Sequence, residues 1–212
     1  MPVAKVTDIA FGRLQSPDLD QAEEFLLDFG LVRAARTKDA LYMRGTDAAH
    51  HLHVTHLGEP KFIGFAYYAR NEEDLDRLAR VDGASKVETI DEPGGGKRVR
   101  LRDPHGFQIE VVHGIETPAP LPVRRNVVNW GPEKARRAGE LTRLPAGPAQ
   151  VKRMGHGSSP PPILPGRSAD IARPSAFCAR TMSGRATRAI SFRPSIAAIA
   201  ATTMSIITSF SR

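Results

Sequence analysis

Four histidines fall in one short stretch, HHLHVTHL, at His50, His51, His53 and His56. On a strand, residues two apart share a face, so His51 and His53 could reach one metal ion together. The stretch holds no carboxylate or cysteine, and a third ligand must come from elsewhere. A polar strand face beside a cleft is the plainer reading. The other residues of chemical type are dispersed. Gly155-His156 closes VKRMGH, and Glu110 lies in FQIEVV. His105 sits in DPHG, a turn sequence, where a solvated side chain is expected. DEPGGGKRVRL is glycine-rich, but no helix follows it to offer N-terminal amides to a phosphate, so it reads as a hairpin turn. The single cysteine, Cys178, excludes an intramolecular disulfide, and no activating partner accompanies its thiol. Trp130 is expected to anchor its segment to the domain surface.

The elements that position these residues follow from periodicity. Val6 to Leu14 alternates as a half-buried strand. Ser16 can cap a helix, and Pro17 suits its first turn. Leu19, Ala22, Phe25, Leu26 and Phe29 recur at helical spacing, and Gly30 ends the helix. Strands are expected over Leu31–Arg36, Ala40–Arg44 and His51–Leu57. The same order then repeats: strand Phe62–Ala69, helix Asn71–Ala79 with Asn71 as its cap, and strands Lys86–Ile90, Lys97–Leu101 and Phe107–Val112. The repeat is offset by about 56 residues, with Leu19 matching Leu75. The fold class is therefore α+β: two βαβββ modules over residues 1–115, paired into one curved sheet with the helices outside. Residues 116–150 are Pro- and Arg-rich and read as a linker with one short helical candidate, Pro132–Leu141. Residues 151–156 restart the opening strand pattern, and 157–212 are expected to be disordered.

The net charge of +7 suggests nucleic acid until its distribution is read. Residues 157–212 hold seven arginines, no lysine and one acid, Asp170, so nearly all of the excess lies there. The body is close to neutral and has no basic stripe with interleaved aromatics, which excludes a nucleic-acid binder. The N-terminus has no run of signal-peptide length, and Ile196–Ile207 is too short and too polar to span a bilayer. A cytoplasmic protein without a membrane partner is expected, with homo-oligomerisation left open.

The doubled module order, SPDLDQAEEFLLDFGL after the first strand and DPHGFQIEVV at the end of the second module together resemble the vicinal oxygen chelate superfamily. That superfamily includes glyoxalases, bleomycin-resistance proteins and extradiol ring-cleavage dioxygenases. The stretch LPAGPAQVKRMGH resembles the join between the two domains of the type I extradiol dioxygenases, so the resemblance covers residues 3–156. It implies an enzyme of aromatic compound catabolism that inserts O2 into an aromatic diol. It also implies a silent N-terminal domain and a C-terminal domain holding Fe(II) through two histidines and a glutamate. His156 matches the first iron ligand. No histidine, glutamate or tyrosine follows it, so these residues do not complete the ligand set or supply the family's acid–base histidine. In the N-terminal domain the corresponding ligand positions carry Phe11, Gly64 and Glu110, and only the last keeps a donor. The chain as written is expected to be inactive and not to bind iron.

Residues 157–212 have the composition of shifted GC-rich coding sequence. Read one base earlier, the isoleucine and threonine codons of Ile196 to Thr208 close codons for Asp, Asn, His or Tyr. The result is compatible with NRCDRGDDYVDHH, which resembles the family's segment carrying the acid–base histidine. An out-of-frame translation is the expectation here, against a genuine basic extension for an acidic partner. Two other functions are weighed: a cleft that sequesters a small aromatic or apolar ligand, and a glyoxalase-like enzyme with its metal site across a dimer.

Overall fold

Asp18, rather than Ser16, opens the first helix. Its backbone is extended, and its Oδ1 accepts from the backbone N–H groups of Asp20 and Gln21. Ser16 instead ties the preceding turn through its Oγ to the Asp18 backbone. A computed structural model describes residues 3–103, 106–124, 129, 131–139, 147–158 and 203–207. Its elements are β1 (Val6–Ser16), α1 (Leu19–Phe29), β2 (Val32–Arg36), β3 (Ala40–Arg44), β4 (His53–Leu57), β5 (Lys61–Ala69), α2 (Glu72–Leu78), β6 (Glu88–Thr89), β7 (Lys97–Arg102), β8 (Gln108–His113), β9 (Arg153–Ser158) and β10 (Thr203–Ile207). Asn71 caps α2 as expected, accepting from the Asp74 N–H. No described helix is long and apolar enough to cross a membrane.

The eight strands of the repeat form one mixed sheet in the order β2-β3-β4-β1-β5-β8-β7-β6. Each module contributes four adjacent strands, and the modules meet at the antiparallel pair β1–β5. The register there is Phe11↔Ala66, Gly12↔Phe65 and Arg13↔Gly64, which is symmetric about Gly12–Phe65. Phe11 and Gly64 are thus equivalent positions, as are Arg13 and Ala66. Within the modules β1 pairs with β4, and β5 with β8, both parallel. The α+β paired-module architecture is the one expected.

The helices cover one face of the sheet, each over its own module. α1 closes over Leu31, Leu41, Met43 and Leu52 through Leu19 and Leu26. α2 closes over Ala69, Val99 and Val111 through Leu75 and Leu78. The alternation of the strands sends Phe11, Tyr42, Val54, Ala66 and Val112 to the opposite, inner face, where Ile90 joins them.

Two stretches differ from expectation, and a third makes contacts the sequence did not show. Residues 131–139, within the predicted helix Pro132–Leu141, are exposed turns, with Gly131 and Gly139 at positive φ. A segment that short has no apolar face to pack, and an unpacked helix of this length does not persist. The restarted strand does not stop at His156 but runs to Ser158, where it pairs with β10 inside the stretch expected to be disordered. Thr203-Met204-Ser205-Ile206-Ile207 is rich in β-branched residues, which favours a strand. The frameshift reading otherwise falls on residues 159–202 and 208–212, outside the described residues. Val151 and Met154, in the strand read as opening a second domain, also pack against this one. Val151 joins the α1 cluster, and Met154 lies against Phe62 and Phe65. The connection is hydrogen-bonded along its length: Val151 donates to the Gly30 carbonyl, and Thr46 and Asp47 donate to the carbonyls of Val151 and Lys152.

Val151 and Met154 are accordingly part of this domain's core. Met154→Ala is expected to destabilise it by about 2–5 kcal/mol, the usual cost of emptying a buried methionine site. Urea unfolding checks this, and an unchanged midpoint would mean that β9 lies free of the domain.

Candidate functional site

Polar chemistry on the inner face converges on Arg13. Its residue is 5% exposed, so the guanidinium must find its partners inside the protein. β5 separates β1 from β8, but Gly64 and Ala66 place no bulky side chain in the way. Arg13 therefore reaches across to Glu110 in a two-pronged pair, Nε to Oε1 at 2.7 Å and Nη2 to Oε2 at 3.2 Å. Nη1 points the other way, donating to Glu92 Oε2 at 2.9 Å and to His56 Nε2 at 2.6 Å. Beneath it, the guanidinium carbon stands 5.2 Å from the centre of the Phe11 ring, a cation–π contact.

A second cation completes the cluster. Arg98 of β7 donates through Nη1 to Glu92 Oε1 at 2.7 Å and approaches Glu110 Oε2 at 3.5 Å. Gln108 adds a donor to Glu110 Oε1 at 2.6 Å, and the Tyr42 hydroxyl donates to Glu92 Oε2 at 3.3 Å. Arg98 also bonds Glu88 through Nε at 3.4 Å, and Glu88 pairs with Arg100 at 3.0 Å, so three carboxylates and three guanidinium groups balance in charge. Burial works to raise the Glu92 carboxyl, but the Arg13 charge and the bonds from Arg98 and Arg13 overcome it and draw it down to about 2. Burial, aided by the Glu92 charge, pushes the Tyr42 hydroxyl up to about 12. Burial and then the Arg13 charge lower His56. Since Arg13 donates to His56 Nε2, that nitrogen is the unprotonated one.

The histidine stretch does not form a chelate. His51 packs against the rings of Phe11 and Tyr42 on the inner face, at 4.5 and 5.4 Å between ring centres. His53 alternates with Val54, pairs in register with Met43 of the α1 cluster and bonds to Thr55 Oγ1 at 2.8 Å. The strand begins only at His53, and Leu52 already points into the α1 cluster, so the expected two-residue periodicity fails at this point. His50 and His51 face each other through their Nδ1 atoms at 2.9 Å, which occupies one nitrogen on each ring. Burial lowers His51 to about 3 and His53 to about 4.

The ligand positions implied by the family resemblance do not fit a metal in this domain. Phe11 is buried and has no donor. At Gly64 even a Cβ would fall 1.7 Å from the Gln108 carbonyl oxygen, so no ligating side chain fits there. Both Glu110 oxygens are already taken by Arg13, Arg98 and Gln108. Among the described residues no three His, Cys, Asp or Glu side chains are grouped to hold a metal ion. The His156 main chain lies on β9 opposite Ser205, and its side chain is outside the described residues, as are His105, Trp130 and Cys178. The hairpin reading of DEPGGGK holds: β6 and β7 pair antiparallel around Gly94, Gly95 and Gly96, all at positive φ. The hairpin also delivers Glu92 to the cluster. A cavity of about 370 Å³ lies away from this cluster, between Lys5, Arg70, Asp74 and Arg77 at the start of α2.

Sequence reasoning singled out Glu110 but missed Arg13, Arg98 and Glu92. The available signal was a charge at a core-facing strand position, Arg13 two residues after Phe11. Its partners lie far along the chain and are not readable from spacing.

The acid side of the stability curve follows from these groups. His51 and His53 titrate near 6.5 when unfolded but only at about 3 and about 4 when folded. Glu92 moves from 4.5 to about 2. In each case the unfolded chain binds more protons, so stability falls as pH drops, from 6.5 for the histidines and from 4.5 for Glu92. Thermal unfolding from pH 6.5 to about 4 should show this slope, and His53→Gln should flatten it. A slope unchanged in that variant would contradict a neutral, buried His53.

No family model matches the chain. It is 29% identical over 124 residues to a manganese-dependent 2,3-dihydroxybiphenyl 1,2-dioxygenase of Geobacillus genomosp. 3, a match spanning 55% of this chain and 38% of that protein. Among solved structures it is similar to a Mn(II)-bound glyoxalase from Novosphingobium aromaticivorans, with a TM-score of 0.53 and 23% identity over 57% of this chain and 44% of that one. It is similar also to the homoprotocatechuate 2,3-dioxygenase of Arthrobacter globiformis, with a TM-score of 0.54 and 21% identity over 74% of this chain and 46% of that one. The 2,3-dioxygenase LapB of Pseudomonas sp. KL28 gives a TM-score of 0.54 at 17% identity, covering 74% of this chain and 54% of that one. The chain therefore spans about half or less of the length of these relatives. Paired modules, central register and neighbours agree: the described domain has the vicinal oxygen chelate fold, the fold of the glyoxalases and extradiol dioxygenases.

Proposed function

We propose that residues 1–156 form the non-catalytic N-terminal domain of an extradiol dioxygenase for an aromatic diol. The carrying observation is that the ligand positions in this module pair are closed: Gly64 has no room for a side chain, and Glu110 is saturated by arginine and glutamine. The similarity to the dihydroxybiphenyl dioxygenase favours a ring-cleaving enzyme, and an aromatic diol and O2 as its reactants. In this reading the metal, Mn(II) as in that relative's name or Fe(II) as the family resemblance implies, belongs to a second module pair opening at β9. His156 is its first ligand.

The inner face gives little support to a ligand-sequestering cleft, because Phe11, Tyr42, Val54, Ala66, Ile90 and Val112 fill it with their own packing. The domain's role is then to seat β9, through Met154 against Phe62 and Phe65. Residues 157–212 are the out-of-frame equivalent of what should follow.

Two measurements test this. The 212-residue chain, incubated with Fe(II) or Mn(II) and with catechol or 2,3-dihydroxybiphenyl, is expected to give no yellow ring-fission product. Reading the gene in its neighbouring frames beyond the His156 codon is expected to reveal histidines, a tyrosine and a glutamate. A yellow product from the metal-loaded chain, or no such frame, would overturn the proposal.

A further inference from the structure

We infer that the cavity between the start of β1, the end of β5 and α2 binds the phosphate group of a small phosphate monoester. The cavity is about 370 Å³. Lys5, Arg70 and Arg77 line it with three cations, Asp74 with the one acid, and Val3 and Ala4 with an apolar side. Among the described residues no carboxylate pairs with the Lys5 ammonium or the Arg70 guanidinium. The lining therefore carries two unmatched positive charges, which suits a phosphate monoester of roughly −1.5 to −2 charge at neutral pH. Guanidinium forks can meet pairs of phosphate oxygens, and an ammonium can meet another as a point charge.

The fold brings these groups together by design of the backbone. The Arg70 N–H donates to the Lys5 carbonyl at 3.0 Å, so two of the cations leave one end of the β1–β5 pair side by side. Asp74, 2% exposed, ties the third to them. Its Oδ2 accepts from the Lys5 N–H at 3.4 Å, and its Oδ1 accepts from Arg77 Nη1 at 2.7 Å. Asp74 thus holds Arg77 on the cavity wall by one nitrogen and leaves the rest of the fork open. The charge comes from side chains and not from the helix end, whose Asp74 N–H is already taken by Asn71 Oδ1 at 3.1 Å. Glu72 pairs with Lys97 and does not line the cavity. Nor is the cationic corner a by-product of the repeat. With Leu19 matching Leu75, Gln21 stands at the place of Arg77, and SPDLDQ, Ser16 to Gln21, holds no cation at all.

The inference is separate from the dioxygenase reading, and neither depends on the other. Its test is an NMR titration of the full chain at pH about 7.5 and constant ionic strength, where the phosphate is a dianion. The probes are phenyl phosphate and inorganic phosphate, followed at the Asn71 and Asp74 amides. Signals there separate this cavity from the arginines of residues 157–212. The proteins are the wild type, Lys5→Gln, Arg70→Gln and, as a control, Arg80→Gln, which removes an exposed cation outside the lining. The wild type should saturate with phenyl phosphate at a Kd of about 1 mM or below. Inorganic phosphate should bind about threefold or more weakly, for want of contact with Val3 and Ala4. Lys5→Gln and Arg70→Gln should each weaken binding about tenfold, and Arg80→Gln should match the wild type. All three side chains are exposed, so the variants should melt with the wild type. The inference is overturned if the shifts never saturate, or if Arg80→Gln loses as much as Arg70→Gln, which would show a general charge effect. Inorganic phosphate binding as tightly as phenyl phosphate would overturn the monoester.

Discussion

A buried guanidinium cannot shed its charge, and that constraint organises the inner face of this domain. Taking such an ion out of water costs several kcal/mol unless its donors are met. Arg13 meets the cost with Glu110, Glu92 and His56 and by lying over the Phe11 ring. Each partner comes from a different part of the chain, so satisfying one side chain ties β1 to β4, β8 and the β6–β7 hairpin. The small residues at 64 and 66 leave the path from Arg13 to Glu110 open, and at 64 the Gln108 carbonyl, 1.7 Å from where a Cβ would stand, allows only glycine. Glu92 then needs a second cation, which Arg98 provides.

The constraint also shapes what fills the inner face. In a paired-module sheet, residues on the central strands and on β8 face a common inner volume. A fold that holds a metal would place donors there. Here that volume holds an internal ion cluster and packed rings. The outer face contributes a seat. Phe65 alternates with Ala66 and faces away from the cluster, and Met154 packs on it together with Phe62. A carbon on Gly157 would strike the Phe65 ring at 2.3 Å, which shows how closely β9 lies on the sheet. The central pair therefore carries the ion cluster on one side and β9 on the other.

Local signals made the fold legible in the sequence, and tertiary placement made the site illegible. Alternation in Val6–Leu14 and helical spacing from Leu19 to Phe29 repeated in order, and that repeat implied the paired sheet. Asn71 and Gly30 bounded helices for reasons contained within a few residues. Ser16 was the wrong cap because Asp18, two residues on, has its backbone extended and its carboxylate within reach of two N–H groups. Glu110 stood out as a carboxylate in an apolar strand. Its partner did not, because Arg13 and Glu110 are brought together by a register across β5 that neither local sequence carries. His51 and His53 misled for a related reason. Period-two reasoning presumes a regular strand, and the strand starts only at His53. Met154 read as the start of a second domain, and its contacts with Phe62 and Phe65, some ninety residues earlier, could not be read from spacing.

The claim on which the rest depends is that Arg13 and Glu110 act as one buried unit, and a double-mutant cycle tests it most directly. Arg13→Met, Glu110→Gln and the double variant would be unfolded in urea at neutral pH. Breaking a buried pair from one side costs about 3–5 kcal/mol, since it strands the other partner. The account predicts that the double variant loses less than the two single losses together by about 2 kcal/mol or more. Additive losses, agreeing to within about 0.5 kcal/mol, would mean that the two side chains are independent and that the inner face is held together by its apolar packing alone.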